Sequence, residues 1–276
     1  MDNIENNWGV GNQMLTFLLQ LMPFVNHFDA DYVFFGNEYS CDEYVYDAEG
    51  FKSSFWFDQR TEFTKQLNAV AKLVTNNTTE VGSLVNPLYE IGLIKILHER
   101  YPYLAQLQMS CFSDTEEGKH NIWCGNCPKC SWMFSLFKGI GIDTQRIGFK
   151  NNMFNKEFKQ HFSIFGGEGL YSQSVLGKGS EEQALAFYMA AERGEKGDLI
   201  TEFKKLPEYE EIRSNFKKTY KKYFSQYESI TVPYELKERV MDIFDETFEG
   251  NFAIKDFRTK PNQGTEKIEE KEEVLK

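Results

Sequence analysis

Apolar and polar positions in the first 110 residues follow two different periods. The apolar-rich stretch at 12–26 predicts a helix, and YVFFG at 32–36 predicts a short buried strand. The pattern then predicts a helix that Asp58 starts, with an apolar face of Phe63, Leu67, Val70, Ala71 and Val74. A strand at 81–85, a helix at 87–101 that Pro87 opens, and a strand at 104–111 are predicted after it. Such alternation of strands and helices is typical of a parallel sheet covered by helices.

Beyond about residue 150 the predicted elements are all helical. Ser180 and Gln183 have the spacing of a capping box, and the helix that follows should stop near Gly194. Further helices are predicted at 196–204, 208–226 and 234–247. We therefore expect an α/β domain over 1–150, a helical region over 151–256 and a disordered, charged tail over 257–276.

Composition and charge exclude several classes of protein. The 276 residues, 41% of them hydrophobic, are enough for one large domain or two small ones. A net charge of -11 argues against a nucleic-acid-binding surface, which needs clustered Lys and Arg. The sequence has no apolar run of about 18 residues and no secretory signal pattern at its start, so we expect a cytoplasmic protein without a membrane span.

Four of the five cysteines are closely spaced. They are Cys111, Cys124, Cys127 and Cys130. In a reducing compartment, spacings of twelve, two and two residues favour a tetrahedral zinc site over disulfides, and free buried thiols are the weaker alternative. Gly125 permits a tight turn, and Pro128 suits the first position of a helix. Because four thiolates leave no open coordination position, the predicted zinc is structural.

Several short motifs occur in a recognisable order. They are GNE at 36–38, FDQRTEF at 57–63, NPLYE at 86–90, SC at 110–111 and WCGNCPKC at 123–130. This set resembles the PP-loop ATP-pyrophosphatase superfamily, in the 7-cyano-7-deazaguanine synthase branch. Within that branch it is most similar to the UDP-N-acetylmuramoyl-L-alanyl-L-glutamate epimerase family, and the likeness covers about residues 10–190. The resemblance implies a sheet of the adenine nucleotide alpha-hydrolase type.

The resemblance also implies a chemistry. Members of the superfamily bind ATP through a Ser-Gly-Gly-x-Asp-Ser loop, a motif that this chain lacks, so we expect a partial sheet and an incomplete or split enzyme. With ATP and Mg2+, such an epimerase would activate the terminal glutamate carboxylate as an acyl adenylate, which acidifies the adjacent Cα–H. Its substrate would be a nucleotide-linked or small carboxylate.

The loop GNEYS leaves the first predicted strand at its carboxyl end, where ligands gather in parallel sheets. By resemblance, the candidate catalytic residues are Glu38 and Arg60, and the candidate substrate-binding residues are Asn37, Ser40 and Glu90. For Glu38, a role as a metal or amine ligand is favoured over that of the proton-transferring base, and a loop cap is a further alternative. Arg60 would grip an anionic phosphate or carboxylate, or else form an ion pair with Glu62 or Asp58. Glu90 would bind substrate or simply match its helix dipole.

Two other functions remain alternatives to the epimerase. One is a deazaguanine-synthase-like enzyme that amidates a carboxylate or converts it to a nitrile. The other is a noncatalytic, zinc-bearing fragment that binds a partner. We further expect a separate chain or segment to supply the PP-loop, or copies of the chain to associate, because a partial sheet leaves an unpaired edge or an uncovered apolar face.

Overall fold

The computed structural model of the protein describes residues 13–46, 49–54, 56–111, 122–166 and 178–248. Its first half contains helix α1 (Gln13–His27), strands β1 (Tyr32–Phe34), β2 (Val45–Tyr46) and β3 (Lys52–Ser53), helix α2 (Thr61–Val74), strand β4 (Glu80–Gly82), and helices α3 (Glu90–Arg100) and α4 (Pro102–Ala105). Its second half contains α5 (Pro128–Gly139), α6 (Lys178–Glu192), α7 (Asp198–Phe203), α8 (Pro207–Tyr223) and α9 (Tyr234–Phe248). Short 3-10 helices lie at Tyr39–Asp42, Phe57–Gln59, Lys156–His161 and Ser163–Phe165.

The fold is mixed α/β and mostly helical, with a small parallel sheet. Strand β1 pairs with β4 in parallel, with Val33 opposite Val81. Strands β2 and β3 form a separate antiparallel pair. Leu67 and Ala71 of α2 form a hydrophobic cluster with Val33 of β1 and Val81 of β4, and Leu18 of α1 belongs to the same cluster. The parallel pairing and the helical second half agree with the sequence predictions over the described residues.

The sequence predicted that Asp58 starts α2, but the helix starts at Thr61 and Asp58 has another role. Its Oδ2 instead accepts hydrogen bonds from the backbone N–H groups of Gln13 and Met14, at 3.0 and 3.3 Å, and so caps α1 from a distant part of the chain. The start of α2 is held by Asp42, whose carboxylate accepts a 2.7 Å hydrogen bond from the backbone N–H of Thr61. The two caps couple both helices to the loops between them.

Three other predictions were wrong. Residues 104–111 form no strand, because Pro102 starts the short helix α4 and the apolar side chains of Leu104, Leu107 and Met109 are exposed rather than buried against a sheet. Helix α3 begins at Glu90 and not at Pro87. Helix α6 begins at Lys178, before the proposed capping box, and ends at Glu192, close to the predicted stop.

The largest core cluster joins α5 and α6 and extends on both sides of residue 150. It contains many aromatic side chains, among them Trp132, Phe134, Phe154, Phe162 and Phe187. The two helices approach closely where Gly139 faces Ala186. The division into domains at residue 150 stays a prediction, and the predicted tail at 257–276 lies outside the described residues. No helix in the described part of the chain is long and apolar enough to cross a membrane.

Candidate metal centre and adjoining carboxylate site

The four clustered cysteines converge on one point. Their Sγ atoms all lie within 4.8 Å of one another, although Cys111 is distant in sequence from the other three. The Sγ atoms of Cys111 and Cys127 are 3.9 Å apart, and those of Cys124 and Cys130 are 3.7 Å apart. Tetrahedral zinc with bonds of about 2.3 Å places its sulfurs about 3.8 Å apart. The cluster can therefore hold a metal ion such as zinc.

Local backbone geometry explains how WCGNCPKC brings its sulfurs together. Gly125 has φ of +67°, a conformation that L side chains rarely adopt, and this turn lies between Cys124 and Cys127. Pro128 occupies the first turn of α5, and Cys127 caps that helix by accepting a 3.4 Å hydrogen bond from the N–H of Cys130. These features match the roles that the sequence predicted for Gly125 and Pro128.

The electrostatics of the cluster favour a thiolate at the helix start. The pKa of Cys127 is lowered to about 5, first because the Cys130 thiol donates a hydrogen bond to it and then because the Cys130 backbone N–H does so. The N-terminal dipole of α5 acts in the same direction. An ionised sulfur at this position is the form that binds zinc.

The loops that leave β1 and β4 are joined by hydrogen bonds at the carboxyl edge of the sheet. Ser83 Oγ donates a 2.7 Å hydrogen bond to the carbonyl oxygen of Asn37, and the N–H of Tyr39 donates to the carbonyl oxygen of Leu88 at 2.8 Å. Asn37 is buried, and its Nδ2 donates to Thr64 Oγ1. Asn37 therefore fixes the loop, and its role in substrate binding stays a prediction.

Glu38, one of the two predicted catalytic residues, has a carboxyl group with a raised pKa. Burial of its carboxyl group raises its pKa to about 7, although hydrogen bonds from Ser40 act in the opposite direction. The backbone N–H of Ser40 donates to Glu38 Oε2 at 2.8 Å, and the Ser40 hydroxyl donates to Oε1. The side chain thus caps its loop, which was one of the alternatives, and it also holds a carboxyl that titrates near neutral pH.

A second group of charges lies beside Glu38. Lys129, between two of the clustered cysteines, donates to Glu90 Oε1 at 2.9 Å, and the Trp132 indole N–H donates to Oε2 at 2.6 Å. The charges of Glu90 and Lys129 both act on the pKa of Glu38. Glu90 therefore joins the carboxylate site to the first turn of the cysteine-bearing helix.

Sequence reasoning missed Glu182, which lies on α6. Its side chain is buried, and Oε1 accepts a 2.8 Å hydrogen bond from the N–H of Ile91. Burial raises its pKa well above the usual value, and the negative charges of Glu38 and Glu90 raise it further. The signal available in the sequence was an acidic residue two positions before the apolar run ALAFYM, on the same helix face as Leu185 and Ala186.

Arg60 lies apart from this group of carboxylates. Its guanidinium forms a 3.1 Å ion pair with Glu62 and stacks on the ring of Tyr44, and only 3% of the residue is exposed. The ion pair with Glu62 is the alternative that the sequence left open, whereas Asp58 is engaged by α1. A role for Arg60 in gripping an anionic substrate stays a prediction.

A cavity of about 290 Å³ lies elsewhere, between α2, β4 and residues 229–234. Its polar lining includes Thr64, Lys65, Asn68 and Ser229. None of the predicted site residues lines it. Thr64, which lines the cavity, accepts a hydrogen bond from Asn37, the residue before Glu38.

Comparison of the chain with protein-family models, with curated proteins and with solved structures gives no match. The resemblance to the PP-loop superfamily therefore rests on the ordered motifs alone.

Proposed function

We propose that the protein is the zinc-bearing part of an ATP-dependent, carboxylate-activating enzyme that epimerises the terminal glutamate of a nucleotide-linked muramoyl dipeptide. The ordered motifs and the four-cysteine cluster support this assignment. The single observation that carries it is the Glu38 carboxyl, whose pKa of about 7 lies where a proton-transferring group is most effective.

Glu38 is proposed as the group that exchanges a proton with the substrate Cα. Epimerisation needs a base that accepts this proton and an acid that returns one to the other face. A carboxyl with a pKa near neutrality is partly ionised at physiological pH, so Glu38 can accept the Cα proton as the base, and a second group on the opposite face has to return a proton. Its position after β1 also agrees with the rule that ligands of parallel sheets bind beyond the carboxyl ends of the strands.

The metal is proposed to be a structural zinc that orders the start of α5. Lys129 lies between the ligands Cys127 and Cys130, so an ordered helix start holds its ammonium group against Glu90. Within this ion pair the charge of Glu90 raises the pKa of Glu38 and that of Lys129 lowers it, and both effects are smaller than that of burial. Zinc acts at a distance in this proposal, since four sulfurs leave no position for substrate.

ATP and Mg2+ belong to the proposal through the motif resemblance. When bound, ATP would convert the substrate carboxylate into an acyl adenylate with release of pyrophosphate, which would remove the negative charge that opposes loss of the Cα proton. Hydrolysis of the adenylate would then release AMP and the epimerised carboxylate. The sequence contains no Ser-Gly-Gly-x-Asp-Ser stretch, so we propose that a separate chain or segment supplies the phosphate-binding loop.

Proton exchange in heavy water tests the proposal. The full chain is incubated with UDP-N-acetylmuramoyl-L-alanyl-L-glutamate, ATP and Mg2+, once alone and once together with a second polypeptide that carries a Ser-Gly-Gly-x-Asp-Ser loop, the PP-loop polypeptide. When the PP-loop polypeptide is present, we expect deuterium at the glutamate Cα, detected by mass spectrometry and proton NMR, and D-glutamate after hydrolysis. Omission of ATP should abolish the exchange.

Two variants make this test specific. Glu38→Gln keeps the size of the side chain but cannot accept a proton, so exchange should fall by at least about a hundredfold. Glu238→Gln, at an exposed position of α9, serves as the matched control and should retain full exchange. Absence of deuterium in both preparations, or full exchange by Glu38→Gln, would count against the proposal.

A further inference from the structure

Helix α1 exposes a continuous apolar stripe. It consists of Phe17, Leu21, Phe24 and Phe28, which are 45%, 39%, 60% and 72% exposed. At about 100° per residue, these four side chains fall within an arc of roughly 60°. Phe28 continues the helical geometry, because its N–H donates a 2.9 Å hydrogen bond to the carbonyl oxygen of Phe24. We name this feature the α1 stripe.

The α1 stripe is distinct from the face that anchors the helix. Met14, Leu18, Met22 and Val25 are the buried residues of α1, and they pack against α2 and the small sheet. Their centre lies about a quarter of a turn away from the stripe. The helix therefore has a second apolar face beyond the one that its own fold uses.

The spacing of the α1 stripe is the same in both directions along the helix. The intervals of four, three and four residues follow the alternation of a coiled-coil seam. If a second helix runs antiparallel about a twofold axis, Phe17 faces Phe28 and Leu21 faces Phe24 of the other copy. An isologous interface needs this kind of self-complementary surface. In the antiparallel arrangement the two helix dipoles also lie side by side and point in opposite directions, which is favourable.

Charge favours a second copy at this surface. The chain carries a net charge of -11, so most approaches between two copies bring carboxylates together. Helix α1 is an exception, since Gln13–His27 contains no Asp, Glu, Lys or Arg. Two copies that meet along α1 avoid like-charge contacts at the centre of their interface.

The exposed area indicates how strong the contact between two copies can be. Taking about 200 Å² for a fully exposed aromatic side chain, the three phenylalanines of the stripe expose roughly 350 Å² per copy. The phenylalanines of two copies therefore expose about 700 Å², an area typical of a weak, transient interface. We infer that the α1 stripe is a homodimer interface in which two α1 helices pack antiparallel, with a dissociation constant on the order of micromolar.

Sedimentation equilibrium and light scattering on the full chain test this inference. Above about 10 μM, the mass should approach twice the 32.3 kDa of the single chain. Leu21→Glu places a charge in the stripe and should weaken the dimer by about a hundredfold or more. Leu19→Glu is the matched control, because Leu19 is 52% exposed on the opposite side of the same helix, and it should leave the dimer unchanged.

Mixing of variants tests the antiparallel register. Leu21→Glu and Phe24→Lys should each be monomeric alone. Mixed together, they should form a heterodimer in which the new carboxylate faces the new ammonium group and the native Phe24 of one copy faces the native Leu21 of the other. A wild-type chain that stays monomeric at about 100 μM, or a dimer that Leu21→Glu leaves intact, would overturn the inference. So would failure of the mixture to form the heterodimer. Circular dichroism should show unchanged helix content in each variant.

Discussion

The partly buried carboxyl of Glu38 should make the stability of the protein depend on pH in a way that a single substitution removes. Glu38→Gln keeps the shape of the protonated side chain and abolishes its ionisation. In the wild type, burial raises the pKa of this carboxyl from 4.5 to about 7. The folded state therefore holds the proton more tightly than the unfolded state does.

The sign and the magnitude follow from linkage. A carboxyl whose folded pKa is raised contributes stability that is fully present below pH 4.5 and is lost as the pH rises through about 7. At about 1.4 kcal/mol per pH unit, the whole effect is about 3 kcal/mol. Between about pH 5.5 and about pH 8.5, where the fold can be studied conveniently, we expect a loss of about 2 kcal/mol.

Urea unfolding followed by tryptophan fluorescence measures this loss. The free energy of unfolding is determined at four pH values for the wild type and for Glu38→Gln, and the two profiles are subtracted. Protonation of the cysteine cluster affects both proteins, so it cancels in the difference. The wild type should lose about 2 kcal/mol relative to the variant as the pH rises. Two parallel profiles would refute the reasoning, because they would mean that Glu38 ionises in the folded protein as it does in water.

Two further predictions concern the metal centre and the helix contact behind it. Elemental analysis of the purified protein should find one zinc per chain. Cys127→Ser should lose this zinc and destabilise the fold by more than about 4 kcal/mol. Cys41→Ser, which lies outside the cluster, should keep the metal. Gly139→Ala should destabilise by about 1–3 kcal/mol in thermal unfolding, because the new Cβ would lie 2.9 Å from Cα and O of Ala186. Gly36→Ala, with nothing within 4 Å, should change stability by less than about 0.5 kcal/mol. Metal-free wild type, or a Gly139→Ala variant as stable as the wild type, would contradict these expectations.

The helices with strong apolar periodicity could be predicted from the sequence. Residues 12–26, 208–226 and 234–247 were predicted as helices, and α1, α8 and α9 lie there with small shifts at their ends. Their burial patterns are local properties, since side chains three and four residues apart share a face. The strand predicted at 104–111 was wrong because apolar content alone does not bury a segment.

The four-cysteine cluster was also visible in the sequence. Its spacing determined which residues converge, because cysteines with two residues between them can bind one metal across a tight turn. The position of Cys111 depended on long-range folding, yet its residue type and distance along the chain were enough to include it.

Only the tertiary structure decided the environment of the carboxylates. No local pattern indicates that Asp58 caps α1 or that Glu90 binds Lys129 and Trp132. The apolar run after Glu182 indicates that this residue is buried, but not that it lies near Glu38 and Glu90. The pKa of Glu38 likewise depends on which side chains remove water from its carboxyl. The sequence by itself determined the periodic helices and the sulfur ligands, whose spacing is a local property. Desolvation and the pairing of distant charges arise only when remote segments pack together, and these decided the pKa values of the buried and partly buried carboxyl groups.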